Sequence, residues 1–96
     1  ETSTHELADD VKFNLYPNPV NSEKVIIDFE LKKSNHLDIK LYDSKGQFVI
    51  SLVSQKIKAG INQLSFSPAS LHTGTYFISI ESKSSSWKKT LRFEKL

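Results

Sequence analysis

Apolar residues recur at every second position along most of this chain. The runs are Phe13 and Leu15; Val25, Ile27, Phe29 and Leu31; Leu37, Ile39 and Leu41; Phe48, Ile50 and Leu52; Leu64 and Phe66; Tyr76, Ile78 and Ile80; and Leu91 and Phe93. Side chains of an extended strand alternate between its two faces, so a period of two predicts seven strands, each with one buried face. Turn-forming residues separate the runs: Asn21-Ser22, Ser34-Asn35, Ser44-Lys45-Gly46, Lys58-Ala59-Gly60, Ser67-Pro68 with His72-Thr73-Gly74, and Ser84-Ser85-Ser86. Many short strands at close spacing, with no convincing helical run, predict an all-β protein. The expected architecture is an immunoglobulin-like antiparallel β-sandwich of about seven strands, with a small barrel as the fallback.

Gly46, Gly60 and Gly74 all fall at turns, where a positive φ is needed and glycine supplies it without steric cost. Pro68-Ala69-Ser70-Leu71 reads as a single helical turn whose Leu71 plugs the end of the sandwich. In Tyr16-Pro17-Asn18-Pro19, each proline fixes φ, removes a donor and pushes its predecessor toward extended geometry, which predicts a stiff corner with exposed backbone. Asn18 suits a tight turn there, because its side chain can bond nearby backbone groups. Residues 1–10 are polar and acidic with one large aliphatic, too little apolar surface to offset the entropy of ordering, and read as linker. The organisation expected is a leader over residues 1–11 and one domain over residues 12–96.

Composition narrows the function. Ninety-six residues with 38% hydrophobic and 25% charged content fit one ordinary globular domain. Thirteen basic and eleven acidic residues leave a net charge of +2, too balanced and too dispersed to imply nucleic acid. The chain has no cysteine, which removes disulfides, thiolate metal ligands and thiol nucleophiles. No apolar run reaches the roughly 18 residues that span a bilayer, and no leader resembles a signal peptide. Export therefore requires a signal in an upstream segment, with Glu1 as an excision point and Leu96 as a native end.

The residues offer catalysis no address. His5, His36 and His72 lie in linker or turns by this reading, without the spacing that makes imidazoles converge on a metal. Asp28 and Glu30 fall opposite the Val25-Ile27-Phe29 face and read as solubilising charge on the solvent side, and Asp38 and Asp43 are a second acidic strand pair. Asp9-Asp10 lacks the alternating ligand pattern of a calcium loop. No Gly-x-Ser-x-Gly elbow or glycine-rich phosphate loop occurs, so neither enzyme nor cofactor is expected.

Two features remain. Trp87 shares parity with Lys89, Leu91 and Phe93, which places it at the edge of the core; the competing reading makes it, with Tyr42 or Tyr76, a platform for a sugar ring. Parity puts Phe29, Phe48, Phe66 and Phe93 on core faces and leaves Tyr42 and Phe77 outside. The last nine positions carry Lys88, Lys89, Arg92 and Lys95, four of the thirteen basic residues. They are either a solvated strand face that discourages edge pairing or an accessible strand offered to a receptor by strand addition.

Taken in order, Tyr16-Pro17-Asn18-Pro19, Ile39-Lys40-Leu41-Tyr42-Asp43 with Gly46, Ala59-Gly60-Ile61-Asn62, Leu71 followed by Gly74-Thr75-Tyr76, and the basic last strand resemble the C-terminal sorting domains of the bacterial type IX secretion system, of the type A subclass found in Bacteroidetes. The match runs from Phe13 to Leu96. The resemblance implies a non-catalytic immunoglobulin-like domain that carries an upstream cargo, already in the periplasm, to an outer-membrane translocon, and so to the cell surface or the medium. It implies removal by a sortase-like signal peptidase, with cleavage among residues 2–10 and attachment of the cargo to lipopolysaccharide. The sorting motif carried over is Tyr16, Pro17, Asn18, Pro19, Gly46, Gly60, Asn62, Gly74 and Tyr76. The recognised terminal strand is Lys88, Lys89, Arg92, Lys95 and Leu96, with Glu94 and Leu96 interrupting the lysine-rich ending usual in the family. The expected partners are the translocon, the peptidase and the cargo, for a monomeric domain that neither spans a membrane nor binds nucleic acid. The alternatives are a carbohydrate-binding β-sandwich appended to a secreted enzyme and an inert spacer.

Overall fold

A computed structural model of the chain describes residues 11–20, 24–83 and 86–96. Residues 1–10, with His5, Asp9-Asp10 and the cleavage expected among residues 2–10, lie outside them, as do Asn21-Ser22 and Ser84-Ser85; Val11, the last residue of the expected leader, is buried in the core. Seven strands form where the alternation places them: β1 (Phe13–Tyr16), β2 (Val25–Leu31), β3 (Asn35–Asp43), β4 (Phe48–Ile57), β5 (Gly60–Phe66), β6 (Gly74–Ser82) and β7 (Lys88–Lys95). They build a three-stranded sheet in the order β1-β2-β5 and a four-stranded sheet in the order β4-β3-β6-β7, and every strand pairs antiparallel to its neighbour. The immunoglobulin-like sandwich expected from the sequence is the fold observed.

The inner faces of both sheets supply one core. Val25 and Ile27 of one sheet, with Leu37, Ile39, Leu41, Ile78, Ile80 and Phe93 of the other, are inaccessible to solvent or nearly so. Cross-strand registers line these residues up: Ile39 lies opposite Ile80, Leu41 opposite Ile78, and Tyr76 opposite Phe93. Aromatic rings fill both ends. Phe13 packs on Phe29 at 5.0 Å and on Trp87 at 6.1 Å between ring centroids, while Phe93 stacks on Tyr76 at 5.6 Å and meets Phe66 at 6.3 Å. Trp87 is buried, as its parity predicts, and offers no exposed face to a sugar.

The fourth strand departs from simple alternation. In the β3–β4 ladder Ile39 faces Val53, Lys40 faces Ser51, Leu41 faces Ile50 and Tyr42 faces Phe48, so β4 carries an extra residue at Leu52 and another at Val49. Each such bulge shifts the alternation by one. Phe48 therefore lands opposite the outward-facing Tyr42 and is 57% exposed, not a core residue; their rings meet edge-on at 6.0 Å. Ile50 faces inward but sits on an edge strand, where it lines an open groove with Phe66 and Leu71 and stays half exposed.

Two connections also differ from expectation. Asn35 opens β3 rather than turning the chain; it is buried, and its Oδ1 accepts a hydrogen bond from the Ser82 hydroxyl at 2.8 Å. His36 likewise lies on β3. Residues 68–71 form a turn closed by Leu71 N–H donating to the Pro68 carbonyl at 2.9 Å, and the described residues contain no helix. The Asp43–Gly46 turn forms as expected: Gly46 holds a φ of 82°, and the Asp43 carboxylate accepts the N–H groups of Lys45 and Gln47, each at 2.9 Å.

Asp38 lies on the outward side of β3 yet is buried by its neighbours. The Ser54 hydroxyl donates to it at 2.6 Å, with Lys83 Nζ at 3.3 Å and His36 Nε2 at 3.8 Å. The Ser54 hydrogen bond above all, then Lys83 and His36, hold this carboxyl below the usual carboxylate range against the opposing effect of burial. A carboxyl whose pKa is lower folded than unfolded stabilises the fold above the unfolded value, near 3.9, and loses that contribution as pH falls through the folded one. Urea melts between neutral pH and pH 2 are expected to show this loss beginning at about pH 4, and Asp38→Asn is expected to flatten that limb. The same melts test the β4 register: Phe93→Ala is expected to cost about 3–5 kcal/mol, and Phe48→Ala less than about 1 kcal/mol.

Candidate functional site

The proline corner continues β1 directly. Tyr16 is the last residue of β1, pairs with Ile26, and sends its hydroxyl to Asp28 Oδ2 at 2.7 Å. Gln63 Nε2 donates to the other Asp28 oxygen at 3.0 Å, so one carboxylate ties together all three strands of the smaller sheet. The hydrogen bond to Asp28 pushes the Tyr16 phenol above its ordinary pKa, because an ionised phenolate would face a carboxylate. Both the Tyr16–Pro17 and Asn18–Pro19 peptide bonds are cis, and residues 16–19 are exposed.

From the smaller sheet the corner reaches across to the larger one. Asn18 Nδ2 donates to the Arg92 carbonyl at 3.4 Å and Asn18 Oδ1 accepts from the Glu94 N–H at 3.3 Å. Val20, completely buried, forms a parallel bridge with Lys95: its N–H donates to the Glu94 carbonyl at 2.6 Å and its carbonyl accepts from the Leu96 N–H at 2.8 Å. Asn18 thus bonds residues 74 and 76 positions away, not the neighbouring backbone that its place in a turn suggests. Val20 is the contributor that sequence reasoning missed; its signal was one aliphatic between Pro19 and a polar stretch.

The outward side of β7 is the edge of the four-stranded sheet, and the corner covers its C-terminal half. The strand's side chains alternate as parity requires. Lys88, Thr90, Arg92 and Leu96 are exposed, whereas Lys89 is half-buried and Lys95 is 7% exposed. Lys89 Nζ reaches the Val11 carbonyl at 3.5 Å, and Lys95 Nζ donates to the main-chain oxygen of Leu96 at 2.8 Å. Lys95 is therefore no freely accessible charge. The Glu94 carboxylate accepts from the Thr75 hydroxyl at 2.8 and 2.9 Å, with Arg92 Nε 3.9 Å away.

The other motif residues divide between the two ends of the sandwich. Gly74 pairs with Lys95 and Tyr76 with Asp43 and Phe93, which places both at the end that holds the corner. Tyr76 is buried and its hydroxyl donates to the His72 carbonyl at 2.8 Å, closing the turn before β6. Gly60 pairs with Leu31, at the opposite end. Asn62 closes that turn by donating to the carbonyls of Lys58 and Gly60 at 3.0 and 3.1 Å. Lys88, opposite Glu81, also lies toward that end. The structure gathers Tyr16, Pro17, Asn18, Pro19, Gly74, Tyr76, Arg92, Lys95 and Leu96 at one end and leaves Gly60, Asn62, Lys88 and Lys89 away from it, while Gly46 lines a pocket on the outer sheet face with Lys88 and Thr90.

The outer face of the larger sheet carries one aromatic row, Phe48, Tyr42 and Phe77, running on to Arg92. The planes of Tyr42 and Phe48 differ by 73°, so these two rings do not form a flat platform for a sugar. Among the described residues, no group of three or more histidine or acidic side chains is placed to hold a metal, and no helix is long and apolar enough to cross a membrane.

The family model described as "Secretion system C-terminal sorting domain" matches residues 14–93, most of the chain. Among solved structures, the chain is similar to PorZ, an essential bacterial surface component of the type IX secretion system of Porphyromonas gingivalis. Sequence identity is 16% and the TM-score 0.67, over 99% of this chain and 12% of that one; at this identity the likeness is one of fold. No curated protein matches the chain.

The placement of the lysines separates two substitutions of equal charge. Lys95→Glu puts a carboxylate into a buried position and is expected to lower stability by more than about 1 kcal/mol. Lys88→Glu, on the exposed face, is expected to stay within about 0.5 kcal/mol of wild type in the same denaturant titration.

Proposed function

The chain belongs to the secretion system C-terminal sorting domain family, and from that premise we propose that it is a folded signal read at the end where the proline corner meets the terminal strand. A sorting domain of this kind marks a secreted or cell-surface protein through type IX secretion, and implies an upstream cargo. In the reading proposed, the cargo reaches the periplasm first, and the translocon then recognises the domain by its shape and by the side chains of residues 88–96. A sortase-like peptidase removes the domain by cutting within residues 2–10 and joins the cargo to lipopolysaccharide. The domain, residues 12–96, performs no chemistry itself.

The observation that carries this reading is the union of two distant segments. Tyr16-Pro17-Asn18-Pro19 and residues 92–96, separated by some seventy residues, are joined by hydrogen bonds into one exposed surface. A spacer has no need to present such a surface. The carbohydrate-binding alternative rests on Tyr42, Phe48 and Phe77, and loses Trp87 and Tyr76 to the core.

The test is to fuse residues 1–96 to a periplasm-directed fluorescent reporter in a bacterium with type IX secretion and in a strain lacking the translocon. The expected outcome is translocon-dependent release or surface display of a reporter that has lost most of the 10.9 kDa of residues 1–96. Arg92→Glu together with Lys88→Glu is expected to reduce it without unfolding the domain. Retention of the intact fusion in both strains would contradict the reading, and affinity for a polysaccharide would favour the alternative.

A further inference from the structure

The terminal strand can be read in two ways: by adding a strand to its edge, or by contacting its side chains. We infer that the Tyr16-Pro17-Asn18-Pro19 corner closes the edge of β7, so that the translocon partner reads side chains on a composite corner-and-tail surface rather than adding a strand. This inference rests on the sorting function proposed above.

Strand addition requires a row of unpaired main-chain N–H and C=O groups along an edge. In β7 such groups belong to alternate residues. Glu94 and Leu96 point theirs outward, so Lys88, Thr90 and Arg92 do the same, while the odd-numbered residues bond to β6. Asn18 and Val20 take the Arg92 carbonyl, both main-chain groups of Glu94 and the Leu96 N–H. What remains on this edge, among the described residues, is the main chain of Lys88 and Thr90 and the Arg92 N–H. That stretch lies away from Lys95 and Leu96, so a strand added there would not reach the tail that the corner covers.

The corner cannot be extended in turn. Pro17 and Pro19 have no N–H, and the Val20 N–H is already spent on Glu94. The same prolines that stiffen the corner thus stop the sheet from growing past it. Asn18 is the positioning residue of this arrangement, because its amide offers a donor and an acceptor spaced to meet Arg92 and Glu94.

The closed surface defines the chemistry of its partner. Exposed on it are Pro17, Pro19 and Leu96, which offer apolar contact, beside the Arg92 guanidinium, which is 68% exposed and 3.9 Å from a Glu94 carboxylate that Thr75 already occupies. A protein surface with an apolar centre and a carboxylate beside it complements this arrangement.

Two measurements test the inference. In amide exchange, the Glu94 and Leu96 N–H groups are expected to exchange at least about ten-fold more slowly than those of Lys88 and Thr90, and Asn18→Ala is expected to speed Glu94 selectively. Equal rates would show the edge open and overturn the inference, whatever the domain does in the cell. The second measurement uses the absence of native cysteine. Val20→Cys with Lys95→Cys places one disulfide across the parallel bridge, where strand-neighbour spacing suits such a bond. Fused to the periplasmic reporter, the oxidised form is expected to be sorted at the level of its reduced form. Retention of the oxidised form alone would mean that the partner opens the edge, and would overturn side-chain reading. Failure of the wild-type fusion to be sorted would overturn the sorting function and side-chain reading by the translocon, leaving closure of the edge to be judged by exchange.

Discussion

The outer edge of β7 has to be satisfied for the corner-and-tail end of this sandwich to exist. A strand that buries Phe93 and Lys95 on one face and borders solvent on its edge needs partners for its outward N–H and C=O groups, or it frays and recruits other strands. Here the partners come from the beginning of the domain. Asn18 and Val20 bond to Arg92, Glu94 and Leu96, so the first and last segments of the fold become one structure. Tyr16, tied to Asp28, and Gly74, facing Lys95, then take their places around that junction.

The arrangement has a consequence for when the site becomes complete. Asn18 precedes its partners Arg92 and Glu94 by 74 and 76 residues, so a chain that stops short of them cannot present the composite surface. The long sequence separation also explains why the corner tolerates being so polar and exposed: its order derives from Val20 in the core and from the β7 backbone, not from local packing. The opposite end is organised differently. There Trp87, Phe13 and Phe29 close the core with rings, and Gly60 and Asn62 form a self-contained turn.

Much of this was legible in the residues. Period-two alternation located all seven strands, and the parity of Trp87 with Phe93 placed it in the core. The same parity puts Lys95 on the inner face, but its charge concealed this; a long aliphatic stem can be buried while its ammonium finds a main-chain oxygen. Phe48 was misread because two bulges in β4 reset its alternation, and nothing in Phe48-Val49-Ile50-Ser51-Leu52 announces a bulge. Asn35 was misread because asparagine is common in turns, whereas here a buried hydroxyl on the neighbouring strand uses its side-chain oxygen. The pairing of Asn18 with β7 was not legible, since a side-chain amide shows its capacity for two bonds but not which distant backbone it will meet.

The central claim is that the corner and the tail are read as a single surface. Site-specific photo-crosslinking from three exposed positions measures this most directly: Pro17 and Leu96 at the junction, and Ile61, 86% exposed, at the far end. The account predicts that one translocon component is captured from both Pro17 and Leu96 and not from Ile61. Capture from Ile61 with none from either junction position would contradict it.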